Sequence, residues 1–294
     1  MYLAYRGAAA LAQALPVSVA EPTARALGRA AAVAMPARRR VIEKNLGRAT
    51  DGRLQGDELR RAVSESFASY GRYWLELFRL PIDVRDPASV QARFETEGFD
   101  HITDGLAAGK GVVLALPHLG GFDFAAGWFA GRVGRPAAVV VEAVDPPELF
   151  DWFVRVRRDA GMDVIPLGPD AGTAVARTLR ANSVVCLMAD RDIAGDGVPV
   201  EFFGEATTLP AGPAMLALRS GAPLIPMAVY FRPHGHHFAR IGPPVPVERE
   251  GRLRDDVVRI TQAVAHRFEE LIRVEPTQWH LMQPNWPSDR VPIA

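Results

Sequence analysis

From about residue 110 onward, short unbroken apolar runs alternate with stretches whose apolar positions recur every three or four residues. The runs are "GVVLALP", "AAVVVEAV", "MDVIPL", "SVVCLMA", "VPVEFF", "APLIPMAVYF" and "HFARIGPPV"; helix-like segments lie near 122–131, 147–160, 170–181 and 210–220. Strands without polar alternation are covered on both faces, and strands joined by crossovers of a dozen or more residues run parallel. The pattern predicts an α/β fold: a mainly parallel central sheet of about seven strands flanked by helices.

Upstream, Leu59, Val63, Phe67, Tyr70, Trp74 and Leu77 follow helical spacing until Pro81, and Val257, Ile260, Val264, Phe268 and Leu271 form the stripe of a closing helix near Asp255 to Val274. Two alanine-rich helices are expected at about 3–14 and 22–34, followed by the cations Arg38, Arg39, Arg40 and Lys44. Arg6, Gln13, Glu21, Arg25 and Arg29 interrupt every stretch long enough to span a bilayer, and the charge order is not that of a signal peptide. A weakly amphipathic, basic surface of this kind suits an anionic lipid surface; two helices capping a core beside a solvated basic turn are the other reading. Residues 1–50 are therefore taken as an N-terminal membrane-associating helical segment and 51–294 as the α/β domain.

With 294 residues, 48% of them apolar, the chain can bury a sizeable core, and 34 basic residues cancel 34 acidic ones. No global field argues for a nucleic-acid partner. Cys186, the single cysteine, sits inside "SVVCLMA" and reads as a core thiol in a reducing compartment.

The chemistry concentrates in "LALPHLGGFD", Leu114 to Asp123. His118 falls at the end of a strand, where open α/β sheets gather reactive groups. If the glycines turn the chain into a helix, Asp123 can return to accept the imidazole N–H, leaving the other ring nitrogen as a base. Gly120 and Gly121 would give a substrate close access to the backbone, and the helix start would offer N–H groups to an oxyanion. A histidine in a buried turn is the alternative. No G-x-S-x-G elbow or P-loop accompanies the pair, which favours direct attack by a substrate hydroxyl over a covalent intermediate. Asp190, Arg191 and Asp192 in "LMADRDIAG" also follow a strand, as does Glu142, while Arg157 lies in "FVRVRRDAGM". The histidines of "PHGHH", His234, His236 and His237, read as an exposed hairpin and not as a metal site.

"HLGGFD" resembles the His-x4-Asp box of glycerolipid acyltransferases. Its setting is similar to the lipid A late acyltransferases and, more closely, to the phosphatidylinositol mannoside acyltransferases. The likeness extends to "EKNLGRA", "FVRVRRDAGMDVIPL", "LMADRDIAGDGVPVEFFGE", "TTLPAGPAMLALRSGAPLIPMAV" and "QWHLMQPNWP". It implies transfer of a fatty acyl chain, palmitoyl, from acyl-CoA as co-substrate to a sugar hydroxyl of a membrane glycolipid, without a cofactor or metal. The enzyme would be a monomer held peripherally at the cytoplasmic face of the inner membrane. His118 would be the general base, Asp123 its orienting partner, and Asp192, in preference to Asp190, a further acidic partner of His118 or of the acceptor sugar. Glu142, Arg157, Asp190 and Arg191 would bind substrate. Where glycerol-phosphate acyltransferases carry Pro-Glu-Gly this chain has "ADRD", which points to a glycolipid acceptor. A lipid A type acceptor, a thioesterase and a non-catalytic lipid-binding protein are the rival expectations.

Overall fold

The computed structural model describes residues 2–134, 136–192 and 195–290. The chain opens with α1 (Tyr2–Ala14), α2 (Val17–Ala34), α3 (Pro36–Ala49) and α4 (Gly56–Asp83). It continues through α5 (Pro87–Ala92), β1 (Phe94–Glu97), α6 (Asp100–Ala107), β2 (Val112–Leu116), α7 (Phe122–Val133), β3 (Ala138–Val141), α8 (Pro147–Asp159), β4 (Asp163–Pro166), α9 (Ala171–Arg180) and β5 (Val184–Met188). A hairpin of β6 (Val198–Phe202) and β7 (Glu205–Leu209) precedes α10 (Gly212–Ser220), β8 (Leu224–Phe231), β9 (His237–Ile241) and α11 (Leu253–Val274).

Seven strands form the main sheet in the order β1-β9-β8-β2-β5-β3-β4, parallel except where β8 meets β9. The α/β class and the strand number match the sequence pattern, but the membership differs. "VPVEFF" pairs with β7 in a separate antiparallel ribbon, and its place is taken by the edge strand "FETE", whose charged residues carry no apolar signal. The basic cluster belongs to a third N-terminal helix, α3, which buries Ile42, Asn45 and Leu46. Helix α2 starts five residues before Pro22, and α4 carries Pro81 in its last turn.

Every residue of β2 and β8 is buried, as unbroken apolar runs demand. Alternate side chains serve opposite cores. Val113 and Ala115 pack with α9, α10 and α11, whereas Val112, Leu114 and Leu116 pack with α4, α7 and α8. No helix of the described residues is long and apolar enough to cross a membrane. Eight of the eleven exposed large apolar side chains among the described residues fall in the first 35 positions, Leu3, Leu11, Leu27 and Val33 being the barest.

Candidate active site

His118 leaves the C-terminal edge of β2, and Asp190 leaves that of the adjacent parallel strand β5. The register pairs Leu116 with Met188, so the same register carried two residues further sets His118 beside Asp190. The contact is direct: Nδ1 of His118 lies 2.6 Å from Asp190 Oδ1, and the His118 backbone N–H donates to Asp190 Oδ2 at 3.0 Å. Trp279 Nε1 donates to the same Oδ2 at 2.8 Å. Asp190 is fully buried. Burial alone would raise its pKa, but the charge and hydrogen bond of His118, with the N–H of Trp279, hold it below the ordinary carboxylate value. An ionised carboxylate only accepts, so the Nδ1 facing it carries a proton, and Nε2 is the nitrogen that has the lone pair in the neutral ring.

The expectation that Asp123 orients His118 is corrected by this geometry, and so is the preference for Asp192. Asp123, in the first turn of α7, is gripped by Arg157 of α8 through two hydrogen bonds, 2.8 Å from Nε and 2.9 Å from Nη2. The Tyr73 hydroxyl of α4 adds a third at 3.0 Å. Burial and the neighbouring Asp123 charge push the Tyr73 pKa well up, so it remains a donor; Asp123 keeps Arg157 charged against burial. The pair therefore ties three helices together beside the site. Arg155 and Arg158 are exposed, which settles which arginine of the run faces inward. Asp192 turns into its own loop, accepting from the N–H groups of Gly195 and Gly197 and from the Thr208 hydroxyl at 2.8, 3.0 and 2.7 Å. Ile193 and Ala194 lie outside the described residues.

The glycines also serve packing more than substrate access. Gly120 has φ +58°, and a Cβ there would sit 2.0 Å from the Val229 carbonyl oxygen. A Cβ on Gly121 would meet the His237 ring at 2.7 Å. His237 is buried, unlike the exposed His234 and His236 of the same hairpin.

Sequence reasoning gave no chemistry to the last block, which forms the far wall of the site. The Gly120 N–H donates to the Gln278 carbonyl at 3.0 Å, and the His280 N–H to the His118 carbonyl at 2.7 Å. Asn285 Nδ2 reaches the Asp190 carbonyl at 3.3 Å. The "EKNLGRA" block holds this strap. Asn45 donates to the Leu281 carbonyl, and Arg48 pairs with Asp289 while its guanidinium lies 3.9 Å over the Trp286 ring. A buried tryptophan needs a partner for its N–H, and that was the one sequence-level signal for Trp279.

A cavity of about 1480 Å³ opens in front of His118. Leu114, Leu116, Ala126, Phe129 and Met227 give it an apolar wall, while Glu142, Arg157, Arg191, His280 and Gln283 supply polar lining. This exceeds the range of about 300–1,000 Å³ usual for small ligands, so an extended amphiphile fits better than a compact metabolite. Arg191 bridges Gln283 and Glu142, the latter at 3.8 Å. Cys186 also lines the cavity, with its thiol pushed up to about 12 by burial. It stays protonated near neutrality and is a poor nucleophile. His280 hydrogen-bonds Ser69 at 3.0 Å; burial first, and then the neighbouring His118 charge, push it down to about 3.

An imidazole held by a buried carboxylate at the head of an apolar chamber is an arrangement with the chemical capacity for general-base work. Residues 1–288 match the family described as bacterial lipid A biosynthesis acyltransferase, and the chain belongs to that family. Its relatives narrow the comparison. It is 41% identical over 227 residues to the phosphatidylinositol mannoside acyltransferase of Mycobacterium tuberculosis strain H37Rv, covering 76% of this chain and 70% of that protein. The protein of the same description from Mycolicibacterium smegmatis is 39% identical over 251 residues, 84% of this chain and 79% of the relative. A lipid A biosynthesis acyltransferase of Haemophilus influenzae is 24% identical over 200 residues, 67% and 60% of the two chains.

Proposed function

We propose that this chain transfers a palmitoyl group from acyl-CoA to a mannose hydroxyl of a phosphatidylinositol mannoside. The observation that carries the mechanism is the His118–Asp190 pair at the head of the apolar cavity, with Nε2 free of any protein partner among the described residues. The likeness to the mycobacterial proteins supports the acceptor.

His118 Nε2 takes the proton of the acceptor hydroxyl as its oxygen bonds to the thioester carbon. The tetrahedral intermediate then collapses, the carbon–sulfur bond breaks, and the imidazolium returns the proton to the departing CoA thiolate. Asp190 stabilises the imidazolium while it lasts. No acyl-enzyme forms, in keeping with the protonated state of Cys186. Asp123 holds Arg157 at the cavity wall, and Glu142 with Arg191 meets the acceptor head group. The bare apolar side chains of α1 and α2 and the exposed Arg38, Arg39 and Arg40 seat the protein on the anionic cytoplasmic face of the membrane, from which the acceptor enters.

The test is mass spectrometry of products formed from palmitoyl-CoA with a panel of glycolipid acceptors. The expected result is one added acyl ester on the mannoside, lost about a hundred- to ten-thousand-fold in His118→Ala. Full turnover in that variant refutes the mechanism. CoA release without acceptor makes the protein a thioesterase, and acylation of lipid A precursors alone moves it to the other branch of the family.

A further inference from the structure

A second buried histidine presses on the turn that follows His118. His237 enters from the start of β9 and is only 2% exposed. Its ring stacks on Phe124 of α7, with centroids 4.2 Å apart and planes 10° from parallel, and on Phe94 of β1 at 5.9 Å. One ring edge abuts Gly121 so closely that a Cβ there would lie 2.8 Å from Nε2. That same nitrogen is hydrogen-bonded to Glu76 of α4 at 2.9 Å. Glu76 accepts in turn from Arg72 Nε at 3.0 Å, and Arg72 donates to the Arg232 carbonyl at 2.9 Å and lies 4.4 Å over the Phe231 ring. The ring can neither rotate without losing Glu76 nor slide without leaving the Phe124 stack.

We propose that His237 is a positioning residue, held by Glu76, that sets the turn Gly120–Gly121 and through it the placement of His118. The turn is held by two sets of contacts. Gln278 and His280 bind the backbone of the segment, and the nearest atoms beside Gly121 are those of the His237 ring, followed by the edge of Phe231. His118 is three residues away on a segment that has already left the ladder of β2; Asp190 holds its ring, and the turn adds a second constraint on where its backbone sits and so on where Nε2 points. Burial acts to raise the pKa of Glu76, but the charges of His237 and Arg72 hold it below its ordinary value. The prop is therefore a charged hydrogen bond in a dry site, stiffer than a neutral contact.

This inference rests on the acyl-transfer reading for its kinetic arm. The test replaces His237 with Asn and, separately, Glu76 with Gln, and measures kcat and KM for acyl-CoA and for the mannoside. The proton of the 2.6 Å His118–Asp190 bond is followed in parallel by low-field NMR. His237→Asn is expected to lower kcat about 10- to 100-fold, the scale set by a shift of about 1 Å in a catalytic group, with both KM values within about twofold. The low-field resonance should move or broaden. Glu76→Gln should move both readouts in the same direction by less, and His234→Asn, on the exposed end of the hairpin, should move neither. If both substitutions at His237 and Glu76 leave kcat per folded molecule within twofold and the resonance in place, even with a lower melting temperature, His237 only packs and the proposal is overturned. If the wild-type chain transfers no acyl group, the function fails instead, and the resonance alone decides the positioning role.

Discussion

His280 should make the protein's stability depend on pH across the range where histidines titrate. The folded chain keeps this ring neutral down to about pH 3, because it is buried and faces His118, whereas in the unfolded chain it takes a proton near 6.5. Below 6.5 the unfolded state therefore binds a proton that the folded state refuses, and stability falls with pH until the folded value is reached. Between pH 7 and pH 5 this one group removes about 2 kcal/mol. The figure is insensitive to the folded value, since anything below about 4 leaves the ring neutral at pH 5. The perturbation is His280→Gln, which keeps a polar partner for Ser69 and cannot titrate. The assay is urea unfolding of both proteins at pH 7 and pH 5, and the quantity of interest is the difference between the two pH drops. The remaining histidines and carboxylates are common to both chains and cancel. Wild type should lose about 2 kcal/mol more than the variant over this interval. Equal losses would refute the reasoning, and with it the picture of a neutral imidazole behind His118.

Asp190→Asn should preserve the shape of the site but let the amide present either an acceptor or a donor to Nδ1, so kcat should fall by about 10³- to 10⁴-fold in steady-state acyl transfer; a loss under tenfold would remove Asp190 from the mechanism. Neutralising Arg38, Arg39 and Arg40 together should weaken binding to phosphatidylserine-containing vesicles by about 3 kcal/mol in a sedimentation assay, at about 1 kcal/mol per cation, and raising salt should shrink that difference. Binding that ignores both the charges and the salt would place the docking surface elsewhere.

The fold was legible because its strands are buried on both faces and their apolar runs are unbroken. β2, β5 and β8 announce themselves in this way, and "FETE" does not, since an edge strand of four residues with three polar ones has no such run. His118 was legible for the same reason, as the first titratable group beyond a buried strand. Its partner was legible only as one of two candidates, Asp190 and Asp192, with the wrong one preferred. Asp190 meets it through the adjacency of β2 and β5, which are separated in the chain by β3 and β4, and no spacing rule within "HLGGFD" encodes which strands are neighbours. The five-residue interval to Asp123 suggested a local pair; the helix start instead presents that carboxylate to Arg157. The hairpin of "PHGHH" was read from Pro233 and Gly235 correctly, but the burial of His237 depends on Glu76, some 160 positions earlier.

The strap from Gln278 to Trp286 carries one more consequence, for how the protein is made. Translation delivers the sheet, the histidine and its carboxylate well before the indole of Trp279 and the amide of Asn285 that pin Asp190. A nascent chain, or one clipped just after α11, holds His118 and Asp190 without the two strap groups that hydrogen-bond Asp190. If the proposed mechanism holds, a cut near Pro276 is expected to abolish acyl transfer, and because Trp279, Leu281 and Trp286 are themselves core residues it should also lower the melting temperature.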